Sequence, residues 1–276
     1  FFPIPSALVL FLFGGRKHSS LADAKKEVNR VAWRLSDEPD FGGNRFHLLG
    51  DRHGQDTFGE LRRQIKGAKR RISLSTYILS DDAVGREIVN LLTARAKEGI
   101  EVRLLVDAIG SFGIPLRLCR PLRRAGGKVA RFNPALPMQG KGSANWRNHR
   151  KIAVFDRSCA IVGGHNLARF YMGPVRRARR WRDFGGVIEG PAAALLDDVF
   201  IADWCFATGE READLMREVT AAPDMVRRGE TCLQVVASGP DAPGDPLYEG
   251  MLAMVQEAAE SVWVVTPYFI PDDVLL

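Results

Sequence analysis

One stretch constrains this 276-residue chain more than any other: Asn148-His149-Arg150-Lys151-Ile152-Ala153-Val154-Phe155-Asp156, running on to Gly163-Gly164-His165-Asn166. It places an imidazole and an ammonium two residues apart, and a strand points both to the same face. The apolar run Ile152 to Phe155 reads as buried, and Asp156 closes it. A second apolar run, Cys159 to Val162, leads into Gly163-Gly164, a pair that lets backbone approach a ligand closely. Asn166 supplies a neutral donor. His, Lys and Asn converging without an acidic cluster suit an anionic phosphate better than a metal ion. At average composition, His, Lys and Asp at fixed spacing arise by chance in roughly one or two chains per hundred. Two glycines and an asparagine at fixed offsets lower that to well under roughly one in a thousand.

The chain around this stretch alternates helical and extended patterns. Helical spacing of Phe58, Leu61, Ile65 and Ala68 predicts a helix after Asp56-Thr57, followed by a strand over 72–79. Asp81-Asp82 reads as the cap of a helix bearing Val84, Ile88, Leu91 and Leu92 and ending near Gly99. A buried strand over 102–106 carries Asp107 at its carboxyl end. A helix over 115–124 stops at Gly126-Gly127, and 129–132 is a further strand. Beyond the motif come a strand over 184–188, a helix over 191–207 opening on Pro191, and a strand over 232–236. Strands alternating with helices argue a largely parallel sheet with helices on both faces.

Composition is that of a globular chain, with 46% hydrophobic and 26% charged residues. The net charge of +6 favours anionic partners: phospholipid headgroups, a membrane surface or nucleic acid. Charge alone does not choose among them. The basic run Arg176 to Arg182 reads either as a solvated face or as a surface for phosphate-rich partners. Cys119, Cys159, Cys205 and Cys232 form no C-x-x-C pair and read as reduced thiols. His18, His47 and His53 have no metal-ligand spacing. The apolar segment Phe1 to Phe13 reads as the tail of a transmembrane helix, with Arg16, Lys17, Lys25 and Lys26 favouring a cytoplasmic exit, or else as an apolar segment packed on the domain. Both chain ends read as cuts.

An internal repeat adds to this. Leu61, Ala68, Tyr77 and Asp81-Asp82 match Leu252, Ala259, Tyr268 and Asp272-Asp273, each pair 191 positions apart. Two copies of one α/β unit are expected, with a second His-x-Lys motif near position 340 if the copy continues.

His-x-Lys-(x)4-Asp followed by Gly-Gly-x-Asn resembles the signature of the phospholipase D superfamily. A narrower likeness, to bacterial cardiolipin synthases, covers nearly the whole chain. It rests on Ser75-Thr76-Tyr77-Ile78-Leu79, Leu105-Val106-Asp107-Ala108-Ile109-Gly110-Ser111, Arg147 to Ile152, and Trp181-Arg182-Asp183. It continues through Asp203-Trp204-Cys205-Phe206-Ala207-Thr208-Gly209-Glu210 and Thr266-Pro267-Tyr268-Phe269-Ile270-Pro271. The departure is the absence of a second motif from this chain.

The resemblance implies an α/β fold, a phospholipase D-like α-β-α sandwich with a mostly parallel mixed sheet, complete once and begun a second time. The implied organisation is a membrane-anchoring tail (1–17), a linker (18–54), a first phospholipase D-like domain (55–210), a linker (211–230) and the start of a second domain (231–276). It also implies that His149 is the phosphorus nucleophile or the general acid for the leaving alkoxide, with a partner histidine taking the other role. Lys151 and Asn166 would hold the non-bridging oxygens, and Asp183 would orient the imidazole. Asp156 is expected to brace the motif structurally. Gly163 and Gly164 are expected to admit the phosphate near backbone N–H groups. His165 reads as a bystander, and Tyr77 as core or site lining.

The expected activity is phosphatidyl transfer between two phosphatidylglycerol molecules, releasing glycerol through a phosphohistidine, with no cofactor and no metal. Expected partners are phosphatidylglycerol, the bacterial inner membrane, and a second His-x-Lys motif from a C-terminal half or another subunit. Nucleic acid is not the expected partner. The alternatives are a phospholipase D-type hydrolase of lipid or nucleic-acid phosphodiesters, and a non-catalytic half-unit.

Overall fold

A computed structural model describes residues 41–50, 54–112, 116–133, 147–220, 226–238 and 246–264. The apolar segment at 1–13, Tyr268 and Asp272-Asp273 lie outside the described residues. Eight strands form one sheet: β1 (Phe41–Leu49), β2 (Arg71–Thr76), β3 (Glu101–Asp107), β4 (Lys128–Phe132), β5 (Ile152–Phe155), β6 (Cys159–Gly163), β7 (Gly185–Glu189) and β8 (Thr231–Leu233). Their order across the sheet is β4-β3-β2-β5-β6-β7-β1-β8. The helices among the described residues are α1 (Gln55–Gly67), α2 (Ala83–Lys97), α3 (Leu116–Arg124), α4 (Pro191–Thr208), α5 (Glu212–Thr220) and α6 (Pro246–Gln256).

The α/β sandwich is as expected, but the sheet is mostly antiparallel rather than mostly parallel. Among the eight described strands only β2–β3 and β3–β4 pair in parallel, and each of those connections carries a helix, α2 or α3. A parallel step needs such a crossover. Asp156 to Ser158, by contrast, join β5 to β6 as a tight hairpin, and β2–β5, β6–β7, β1–β7 and β1–β8 are antiparallel as well. Segments read as linker, or as the opening of a second unit, also enter this sheet. Phe41–Leu49 is β1, hydrogen-bonded on both edges, and Thr231–Leu233 is the edge strand β8. α5 falls within the stretch read as the second linker.

Alternation along the strands divides the core into two layers. Ala153 and Phe155 of β5 face one side with Leu74, Leu104 and Ile161, where Phe58, Leu61 and Ile65 of α1 and Ile88 and Leu92 of α2 cover them. Ile152 and Val154 face the other side, with Ala160 and Ile188, under Ala192, Ala193, Leu196 and Val199 of α4. Phe200, Ile201 and Trp204 continue α4 over Leu105 and Phe132, while Leu215 of α5 covers it from outside. Each fully buried Leu, Ile or Phe of this kind contributes roughly 1.5–3 kcal/mol. α4 opens on Pro191 at its first turn and closes at Gly209, whose positive φ of 77° lets its N–H reach the Cys205 carbonyl. α2 opens on Asp82, whose carboxylate accepts the Val84 and Gly85 N–H groups, as its sequence predicts.

The expected second copy of the repeat is described only over 246–264. α6 covers Leu252, but none of its residues is buried, and 261–264 are not strand. No helix among the described residues is long and apolar enough to cross a membrane.

Candidate active site

The residues that carry His149 and Lys151 are anchored through their neighbours. Asp107, buried at the end of β3, accepts the Ile109 and Gly110 N–H groups on one carboxylate oxygen (2.8 and 2.9 Å). Its other oxygen accepts the Asn148 N–H at 3.0 Å. The Asn148 side chain donates to Asp203 of α4 at 2.9 Å and accepts the Arg150 N–H at 2.9 Å. Arg150 reaches the same Asp203 carboxylate at 2.6 and 2.8 Å, and donates to the Ser238 carbonyl at 3.1 Å. Asn148 and Arg150 are thus held against α4, and the alternation of extended backbone turns His149 and Lys151 the other way.

Those two side chains meet. Lys151 Nζ lies 2.9 Å from His149 Nδ1 and donates to the His149 carbonyl at 2.7 Å. The imidazole packs on Tyr77, ring centroids 4.7 Å apart, and the ammonium lies 5.6 Å from the same tyrosine ring. Tyr77 can come this close because Gly110 lies behind it; a Cβ there would overlap both the Tyr77 ring and its carbonyl. Partial desolvation, followed by the Lys151 charge, holds His149 below its usual pKa, while Asp107 and Asp183 pull the other way. Desolvation brings Lys151 down to about 8, against the pull of Asp183. The pair therefore offers a neutral imidazole beside a cation that loses its proton readily.

Asn166 is buried, and its side-chain oxygen accepts the Ile78 N–H at 2.9 Å. That bond orients the amide, leaving Nδ2 as its donor side. Asp183 lies over Gly164, so that a Cβ at Gly164 would overlap its carboxylate. Its hydrogen bond is to the Phe184 N–H at 2.9 Å, and it acts on His149 and Lys151 through space, not through a hydrogen bond to the ring among the described residues. The glycines serve close approach of chain to chain. The Gly164 N–H donates to the Phe184 carbonyl at 3.1 Å, and a Cβ at Gly163 would overlap that same carbonyl. The Gly164 N–H is therefore already engaged within the fold. His165 is buried and lines, with Lys151, Leu61 and Leu74, a void of about 30 Å³ beneath the site.

Asp156 stands at the opposite end of β5. Its carboxylate accepts the Lys69 and Arg70 N–H groups at 2.8 Å and that of Arg71 at 2.9 Å. Its own N–H donates to the Arg71 carbonyl, and its φ is 52°. The next residue, Arg157, pairs with Asp197 and Asp198 of α4 at 3.1 and 2.7 Å. This end ties the hairpin to β2 and α4.

Reading from sequence left Asp107 as a strand end and did not single out Asn148, Arg150 or Asp203 for a role. The signal for them lay in the blocks quoted for the resemblance, Leu105 to Ser111, Arg147 to Ile152 and Asp203 to Glu210. Among the described residues no group of three or more His, Cys, Asp or Glu side chains is placed to hold a metal ion. Cys119, Cys159 and Cys205 are buried free thiols and Cys232 is exposed; desolvation pushes Cys159 and Cys205 up to about 12.

A mixed sheet between two helical layers, with a histidine-lysine pair at the mouth of a central hairpin, defines the class. The family model described as "Cardiolipin synthase, PLD-like domain" matches residues 61–204, more than half of the chain, and the chain belongs to that family. Among its relatives, the cardiolipin synthase of Geobacillus kaustophilus (strain HTA426) is 32% identical over 93% of this chain and 50% of its own length. Cardiolipin synthase A of Pseudomonas aeruginosa (strain LESB58) is 31% identical over the whole of this chain and 61% of its own length. The chain thus spans between half and two thirds of these curated relatives. The crystal structure of phosphatidylserine synthase from Haemophilus influenzae Rd KW20 shares the fold, with a TM-score of 0.52 and 17% identity over 82% of this chain and 57% of that one.

Proposed function

We propose that the protein containing this chain transfers a phosphatidyl group from one phosphatidylglycerol to the hydroxyl of another at the bacterial inner membrane, and releases glycerol. The observation that carries this reading is the His149–Lys151 contact at 2.9 Å, in a chain of the cardiolipin synthase family. In the first step an imidazole nitrogen forms a bond to phosphorus as the phosphorus–oxygen bond to glycerol breaks. The partner histidine, from a second His-x-Lys motif in another half or another subunit, protonates the departing alkoxide. In the second step the hydroxyl of the incoming phosphatidylglycerol attacks phosphorus and displaces the imidazole, giving its proton to the partner.

His149 takes one of these two roles. Its depressed pKa favours a neutral ring near pH 7, as attack requires. Lys151, now against Nδ1, would turn to a non-bridging oxygen of the bound phosphate, joined there by Asn166 Nδ2. Asp183 supplies negative charge that favours the imidazolium or the phosphohistidine cation. Asp156 is assigned no chemical step.

The test is His149→Ala in the whole protein, assayed for cardiolipin formed and glycerol released from phosphatidylglycerol. Loss of both, with the circular-dichroism spectrum retained, is the expected result. Unchanged exchange would overturn the proposal, and water consumption without cardiolipin would make the protein a hydrolase.

A further inference from the structure

Between Asn166 and Asp183, both at the candidate site, the chain makes an excursion whose composition the proposed chemistry does not use. It carries Arg169, Arg176, Arg177, Arg179, Arg180 and Arg182, with no acidic residue and no lysine from 167 to 182. The excursion is firmly attached. Arg169 N–H donates to the Asp82 carboxylate at 2.8 Å, Gln55 donates to the Pro174 carbonyl at 3.0 Å, and Trp181 N–H donates to the Phe170 carbonyl at 2.8 Å. Arg180 is buried and acts as an internal strut, donating to the Arg169 carbonyl at 3.1 Å.

The other basic residues face outward. Arg176, Arg177, Arg179 and Arg182 are exposed, and among the described residues none lies within ion-pair distance of a carboxylate. Large apolar groups stand among them: Phe170 is 54% exposed, Val175 57%, Trp181 60% and Phe184 59%. Two depressions of about 580 and 360 Å³ run along the excursion, sharing Arg169, Phe170, Arg177 and Arg180 in their walls. Exposed aromatic groups interleaved with guanidinium groups that have no carboxylate partner among the described residues are poorly matched to water alone. They match an anionic bilayer surface, where rings sit at headgroup depth and each arginine meets phosphate.

We propose that the excursion 167–182, with Phe184 beside it, forms a docking surface for anionic phospholipid bilayers. Its exposed apolar groups enter the headgroup region and Arg176, Arg177, Arg179 and Arg182 bind headgroup phosphates. Since Asn166 and Asp183 bracket the excursion, docking brings the His149–Lys151 pair to the lipid phosphate plane. This rests on the reading above that the substrate is anionic phospholipid, yet it concerns a surface separate from the reacting groups.

The experiment uses the whole protein in nanodiscs of phosphatidylcholine alone, or of an equal mixture with phosphatidylglycerol, so that any separate membrane anchor is common to both. Ala178→Cys, in a Cys232→Ser background, carries an environment-sensitive fluorophore. Brighter, blue-shifted emission in the anionic disc only is expected, reversed by high salt and abolished by R176Q/R177Q/R179Q. That triple variant should retain its circular-dichroism spectrum and its transfer activity on monomeric short-chain phosphatidylglycerol. Equal emission in both discs, or an unaffected triple variant, would overturn the proposal. So would a shift driven by duplex oligonucleotide but not by lipid, or one set by protein concentration without lipid. If His149→Ala leaves transfer intact while the label still responds to phosphatidylglycerol, the proposed function falls and the docking surface stands.

Discussion

At one end of β5, His149 and Lys151 stand on a face that solvent reaches, touching each other and Tyr77. At the other end, Asp156 holds three backbone N–H groups, and Arg157 holds two aspartates of α4. Both ends belong to one eight-residue motif, yet only one has side chains left over for a ligand. The difference lies in saturation. The Asp156 carboxylate is committed to the backbone N–H groups of Lys69, Arg70 and Arg71, whereas among the described residues the imidazole and the ammonium touch each other, the His149 carbonyl and Tyr77, a contact that the proposed reaction would exchange for phosphate. A motif of this kind is half chemistry and half carpentry.

Substitutions at the two ends should therefore separate rate from stability. The largest effect expected is for His149→Ala, a fall in transfer of about 10³-fold or more, with the unfolding midpoint almost unchanged. A stability loss matching the activity loss would erase the contrast. Next, Gly164→Ala should slow transfer by roughly a hundredfold by pushing the Asp183 carboxylate aside. A smaller Gly163-Gly164 effect on rate than on urea midpoint would move these glycines to the structural side.

Asp156→Ala should cost about 2 kcal/mol, read from the urea midpoint, because three donors lose their acceptor. Activity per folded molecule should persist. Asp156→Asn should be milder, since Asn tolerates the φ of 52° and keeps one acceptor. The smallest effect is that of pH. Lys151 titrates at about 8, so transfer should decline above that pH, to roughly a tenth one unit higher. Stability should move the opposite way. Between about 8 and 10.5 the unfolded chain keeps a proton that the folded chain has released, so stability rises with pH. Lys151→Met should flatten that rise.

Much of the local structure was legible. The helix expected over 191–207 runs from Pro191 to Thr208, because a proline and a glycine mark its ends chemically. The placement of His149 beside Lys151 follows from period-two alternation. What escaped was set by distant partners. Phe41–Leu49, with glycines at 42 and 43, reads as loop until β7 and β8 are seen to pair with it. The direction of the sheet depended on which connections lack a helix. Asp107 and Asp203 gained their roles only when β3 and α4 were brought to Asn148. Asp183, expected to orient the ring, stands over Gly164 and acts on His149 through its charge, a placement that only the fold reveals.

Arg150 lies between His149 and Lys151 in sequence, but its guanidinium turns away to grip α4 and the Ser238 carbonyl. This has a practical consequence for dissecting or grafting the protein. A piece ending near residue 210 would lose β8 and the Ser238 acceptor, and would leave one edge of β1 bare. A graft that keeps both edges of β1 paired and the Ser238 acceptor in place therefore starts before Phe41 and runs through Ser238. A graft cut shorter would carry the right letters on a loosened frame.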